Sequence, residues 1–150
     1  MPIKRNEHLK AISREHHHGL LLCWKIKAGL KKEINPERIK TYVDWFYTEH
    51  ILPHFDIEEK CIFPILGNEN ELVQKALSEH QNLKKHFESK TDILDNLKLI
   101  EKELDEHIRF EERVLFNEIQ SAATEAELLK IKEIHTETAF ADNVSDPFWM

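Results

Sequence analysis

The chain has 150 residues, of which 41% are hydrophobic and 33% charged, with a formal net charge of −7. That length gives one domain a sizeable core and leaves no expectation of two. A net negative charge without a dense Lys/Arg block argues against nucleic acid as a partner, because such binding rests on phosphate neutralisation. The longest apolar run, Leu20-Leu21-Leu22-Cys23-Trp24, is far below membrane-spanning length, and the N-terminal residues run into polar sequence without an apolar core. Two cysteines inside helical patterns make no disulfide framework. The expectation is a soluble, unexported, cytoplasmic protein, one domain over residues 1–150, with no membrane partner.

Only three Gly and five Pro tilt the composition towards helix. A first helix is expected from an N-cap at Ser13 to about Lys32. Its basic residues Lys25, Lys27, Lys31 and Lys32 read as a C-terminal end stabilised by the helix dipole. Asn35-Pro36 is a cap followed by proline at the first helical position, opening a second helix that stops near Gly67-Asn68. Pro53 lies inside that stretch and predicts a kink or a division. A third helix covers about 70–88 and a fourth about 92–120. Short turns between long helices favour antiparallel neighbours, hence an all-α, up-down-up-down four-helix bundle over about 11–120. Thr124 and Glu127 form a capping box that opens a short fifth helix to about Glu137. Beyond Ala139 there is no periodicity, and Phe148 and Trp149 in this irregular tail are expected to dock on the bundle or on another subunit.

The core stripes carry polar residues where packing alone would place Leu. The first helix offers Ile12, His16, Leu20, Cys23 and Leu30; the second Val43, Tyr47, His50, His54, Glu58 and Cys61. The third offers Val73, Ala76, His80, Leu83 and Phe87; the fourth Leu97, Ile100, Leu104, His107, Glu111 and Val114. Trp24, Phe63 and Phe116 read as further core residues. His8, His86 and His135 are expected to face solvent. Cys23 and Cys61 are expected about 21 Å apart along antiparallel helices, too far to be bridged.

His54 with Glu58, and His107 with Glu111, are i, i+4 pairs that set imidazole and carboxylate on one helical face, the geometry of chelation. Ten His and 21 Glu would give about 1.4 such pairs by chance, so the pairs alone are weak evidence. The surrounding segments strengthen them. His54-Phe-Asp-Ile-Glu-Glu-Lys-Cys-Ile-Phe63 and His107-Ile-Arg-Phe-Glu-Glu-Arg-Val-Leu-Phe116 match at His, both Glu and the final Phe. A shorter echo precedes each: Ser13-Arg-Glu-His16 and Ser78-Glu-His80. The chain therefore reads as a duplicated helical hairpin. Folded together, the two hairpins bring an imidazole from each of four helices to one level with two carboxylates between, a set able to bind two metal ions. Burying those groups without partners would be costly. Among His16, His17 and His18, the first follows Glu as His80 does and is the preferred candidate.

These segments resemble the paired signatures of the hemerythrin-like (HHE) family, over about residues 11–120. The resemblance implies an antiparallel bundle around an oxo- or hydroxo-bridged pair of iron ions. It implies His16, His54, His80 and His107 as terminal ligands and Glu58 and Glu111 as bridging carboxylates. Many relatives carry a second His four residues away on the third helix, where this chain has Ala76 and Lys84 around His80. Coordination is then left open to water, Glu59, Glu112 or His50, each of which also fits a supporting or solvated role. Imidazole with carboxylate suits iron, zinc and manganese alike; the family favours iron. The function expected is a metal-binding protein that takes up or senses oxygen, nitric oxide or redox state. The alternatives are an iron-handling or repair protein, an enzyme acting on peroxide or nitric oxide, and a zinc-bound structural domain.

Overall fold

In the computed structural model, residues 5–134 and 141–150 are described, and among them every regular element is helical. The N-terminal segment enters through a 3-10 turn, Glu7–Leu9, whose start is capped by the Asn6 side chain accepting from the His8 backbone N–H at 2.9 Å. Helix α1 follows directly as Lys10–Lys31. Ser13 therefore sits a turn inside α1 rather than capping it, because Asn6 and the 3-10 turn already start the helix. Glu33 adopts a left-handed backbone, φ +57°, and ends this rod.

The second rod, α2, occupies residues 36–65. The Asn35 side chain accepts from the Glu37 N–H at 2.9 Å with Pro36 at the first position, as the sequence predicts. Within α2, α-helix Pro36–Phe46 passes into a π-helical turn Tyr47–Ile51, α-helix Leu52–Ile57, a second π turn Glu58–Ile62 and a closing 3-10 turn Phe63–Ile65. Pro53 thus does not end the helix. The wider π turn just ahead of it absorbs the missing backbone donor. Gly67, at φ +89°, turns the chain into α3, Glu71–Glu88, whose first turn is capped by the Asn70 carboxamide. Rod α4 spans residues 93–122, with α-helix Ile93–Phe110, a π turn Glu111–Leu115 and α-helix Phe116–Ala122.

Helix α5 is Glu125–Ile134. The expected capping box is present: the Thr124 N–H donates to Glu127 Oε1 at 2.9 Å and the Glu127 N–H to Thr124 Oγ1 at 3.1 Å. The expected continuation of α5 to Glu137, and His135, lie outside the described residues. Rods α1 and α3 each pack along α4, α2 touches α1 and α4, and α5 packs on the Glu7–Leu9 turn.

The π turns correct the core register. A π turn adds a residue to the repeat, so the buried position after Glu111 is Leu115 while Val114 is 42% exposed. In the same way Ile62 is buried where Cys61 was expected, and Ile51 where His50 was expected; Cys61 and His50 are only half-buried. Trp24, expected in the core, is 56% exposed. Phe63, Phe116 and the whole expected stripe of α3 are buried.

Phe148 docks against the Gly29–Ile39 region, and Trp149 packs edge-on to Tyr42 at 5.1 Å. Lys25 is not a solvated helix-end charge: it is buried, donates to Tyr42 Oη at 2.9 Å and to Asp142, and lies 4.0 Å over the Trp149 ring. The last residues are thereby anchored to α1 and α2. No helix among the described residues is long and apolar enough to cross a membrane.

Two apolar clusters fill the interior. One gathers Leu22, Ile26, Phe46, Phe55, Leu83, Phe87, Leu104 and Phe148; the other Leu9, Ile12, Ile62, Val73, Phe116, Ile119 and Ile131. On α1 and α3 the buried His16 and His80 fall between the stretches that feed the two clusters, and on α2 and α4 the buried His and Glu straddle the last residue of the first cluster, Phe55 and Ile108.

Candidate metal centre

That polar layer consists of His16 from α1, His54 and Glu58 from α2, His80 from α3, and His107 and Glu111 from α4, all buried. Each imidazole turns Nε2 inward. His54 Nε2 lies 3.3 Å from Glu58 Oε2, and His80 Nε2 3.2 Å from Glu58 Oε1. His107 Nε2 and His16 Nε2 lie 3.3 and 2.9 Å from Glu111 Oε1. His16 Nε2 is also 3.5 Å from Glu58 Oε2, and His80 Nε2 3.8 Å from Glu111 Oε2.

The residues form two sets, His16, His54, Glu58 and Glu111, and Glu58, His80, His107 and Glu111, whose potential ligand atoms lie within 4.8 Å of one another. Both carboxylates belong to both sets. All four Nε2 atoms and all four carboxylate oxygens are buried and lack a partner with hydrogen-bond geometry. Orphaned polar groups of this kind are expensive in a protein interior. Cations at the centre of each set would satisfy all of them together, so these buried groups could hold metal ions.

The outward nitrogens are held in a closed cycle. His54 Nδ1 meets Glu15 of α1 at 2.7 Å, and His80 Nδ1 meets Glu59 of α2 at 2.8 Å. His107 Nδ1 meets Glu79 of α3 at 2.7 Å, and His16 Nδ1 meets Glu112 of α4 at 2.7 Å. Every carboxylate in the cycle is the chain neighbour of a centre residue and reaches across to a different rod. A carboxylate on Nδ1 fixes the ring, puts the proton on Nδ1 and leaves Nε2 as the free donor atom, as metal-ligating histidines require. Aromatic rings complete the walls: Phe55 stacks on His80 at 3.7 Å, and Phe116 lies 5.1 Å from His16.

Without a cation the cluster keeps protons instead. Burial works to lower the His54 and His107 pKa values, but the facing carboxylates outweigh it and hold them up at about 9 and about 10. His16 and His80 are raised by the same contest between burial and neighbouring carboxylates. Burial alone would raise Glu58, yet His54, His16 and His80 hold it well below the usual carboxylate range. A metal ion bound at such a centre would displace these protons.

All six candidate ligands are brought together. His17 is exposed and His18 half-buried, so His16 is the one of the three that joins the cluster. Glu59 and Glu112 hold imidazoles rather than standing as solvated charges. His50 is not in the cluster; its ring packs on Trp45 and Phe46 at 5.1 and 5.0 Å. It lines a cavity of about 20 Å³ that touches His16, His54, His107 and Glu111, with Glu15 and His18 also at its wall beside apolar residues such as Phe46, Phe55 and Leu104. His86, expected in solvent, is half-buried and paired with Glu103 at 2.6 Å. Sequence reasoning missed Glu15 and Glu79. Their signal was the repeated Glu-His dipeptide, whose His was explained and whose Glu was not.

Cys23 and Cys61 are both free thiols. Burial pushes the Cys23 thiol up, which leaves it inert. No protein-family model, curated protein or solved structure matches the chain.

Proposed function

We propose that this is a non-haem di-iron protein with a hemerythrin-like, up-down-up-down four-helix bundle, in which His16, His54, His80 and His107 are terminal ligands and Glu58 and Glu111 bridge. One observation carries the reading: eight buried nitrogen and oxygen atoms converge from four rods with no hydrogen-bond partner among them. Two four-residue sets sharing two carboxylates are the donor arrangement of a bridged metal pair, and imidazole with carboxylate suits iron. Iron bound there would supply reversible redox chemistry and affinity for diatomic ligands.

The chain's own residues prepare for this. The outer carboxylates orient each ring and raise its basicity. The cavity of about 20 Å³ beside His16 and His54 has room for a molecule of diatomic or water size. Uptake or sensing of oxygen or nitric oxide is therefore preferred to turnover of an organic substrate. The test is elemental analysis with an optical spectrum of freshly purified protein, then of anaerobically reduced protein mixed with oxygen. Two irons per chain and a new charge-transfer band on mixing are expected. A colourless protein carrying zinc from iron-replete cells would overturn the iron reading.

A second reading, an iron-handling protein or a peroxide enzyme, draws on the outer carboxylates. The Glu15, Glu59, Glu79 and Glu112 side chains are 36%, 31%, 29% and 28% exposed, so each imidazole is one carboxylate away from water. Rapid multiple-turnover consumption of peroxide would favour that reading over simple uptake.

A further inference from the structure

The two halves of the centre repeat in sequence but are not braced alike. At the His80 and His107 corners, among the described residues, the cations that face the outer carboxylates from beyond the imidazoles are lysines at the edge of ion-pair range: Lys84 3.9 Å from Glu59 and Lys75 4.0 Å from Glu79. Lys75 is exposed and Lys84 half-buried, and ion pairs at such long separations contribute little. At the His16 corner, Arg5 reaches in from the segment ahead of α1. Its Nη2 donates to Glu112 Oε2 at 2.9 Å and to the Glu112 backbone carbonyl at 2.6 Å. Its Nη1 donates to Asn117 Oδ1 at 3.3 Å and Gln120 Oε1 at 3.2 Å, and its guanidinium lies 5.5 Å from the centre of the Phe116 ring. Glu112 and Phe116 are the two groups that hold the His16 ring from outside, at 2.7 and 5.1 Å.

We propose that Arg5 is a positioning residue that clasps the N-terminal segment to α4 and, through Glu112 and Phe116, fixes the His16 imidazole, so that it governs how firmly the ion held by His16 and His54 is retained. The inference rests on the metal reading above. A guanidinium suits the role because its planar fork holds a carboxylate and neighbouring acceptors in one geometry, which an ammonium cannot do. When the clasp opens, Glu112 loses its anchor and His16 its fixed orientation, while the His80 and His107 corner keeps its own carboxylates.

The test uses the full chain loaded with cobalt(II), whose visible absorption reports each ion, and follows loss to excess chelator. In Arg5→Ala, one of the two ions is expected to leave about tenfold faster, the usual scale for removing support from a metal-bound histidine, while the other keeps its rate. Arg5→Lys, which retains the charge without the fork, should fall between. In a Glu112→Ala background, Arg5→Ala should change the rate far less, because most of its route to His16 is already gone. Unchanged loss in both Arg5 variants overturns the inference and leaves the metal reading standing. Equal acceleration with and without Glu112 also overturns it. A wild-type chain that takes up no cobalt overturns both.

Discussion

Glu58 is fully buried, both of its oxygens lack hydrogen-bond partners, and three imidazoles surround it. In an ordinary core that combination would be selected against, since removing it and packing a hydrophobe would cost less. A cation between these groups would complete it. Replacing Glu58 or Glu111 with Ala is therefore expected to drop the metal content below two per chain and to remove the stabilisation that bound metal confers. That stabilisation is about 2.7 kcal/mol when free metal is a hundredfold above its dissociation constant. Elemental analysis and melting with and without added metal would measure both effects. Two metals retained in each variant would sink the bridging assignment. The six centre residues were readable in the sequence because each interrupts an apolar stripe and recurs in both halves. Glu15 and Glu79 were not, because a half-exposed carboxylate beside a ligand looks like any solvated charge until the rod it reaches across to is known.

The elements show where periodicity reading succeeds and where it slips. Caps at Asn35 and Thr124 were legible because side-chain capping is a local matter of one oxygen and the N–H groups two or three residues on. The π turns were not. A stripe extrapolated at α-helical spacing runs true down α3, which has no π turn, and fails by one residue after Glu58 and after Glu111, each of which opens a π turn. Such turns collect at functional sites because they re-aim a side chain without ending the rod. Here they deliver Glu58 and Glu111 to the centre while returning Ile62 and Leu115 to the apolar cluster beyond it. The one-residue shift makes a sharp prediction. Leu115→Ala should cost about 2–5 kcal/mol, the range for emptying a packed core position. Val114→Lys, on a surface position, should stay within about 0.5 kcal/mol. Denaturant melts of the two variants measure the difference. The reverse order of effects would restore an uninterrupted α-helix and undo the placement of Glu111.

At the scale of the whole molecule, the polar layer divides one core into two apolar clusters, so the protein's stability depends on what neutralises that layer. Without metal, the raised imidazole pKa values point to protons as the neutralising agents. His54 and His107 are held up at about 9 and about 10 against an ordinary 6.5, so their stabilisation is complete below 6.5 and is lost as pH rises through about 9 and then about 10. Glu58 is depressed, so its contribution is present above its ordinary 4.5 and is lost as pH falls through its lowered value. The melting temperature of metal-free protein is thus expected to be highest between 4.5 and 6.5 and to fall on the alkaline side. Metal behaves in the opposite sense. It needs Nε2 deprotonated, so its binding expels protons and strengthens as pH rises. The gap between the melting temperatures of metal-loaded and metal-free protein should therefore widen from acid to alkaline conditions, because cations replace the protons that the centre loses. Thermal melts with chelator and with added iron(II) or cobalt(II), stepped from about pH 5 to pH 10, would trace both curves. A gap that stayed constant would mean that protons and metal do not compete for the same eight atoms, and the centre would then have to lie elsewhere.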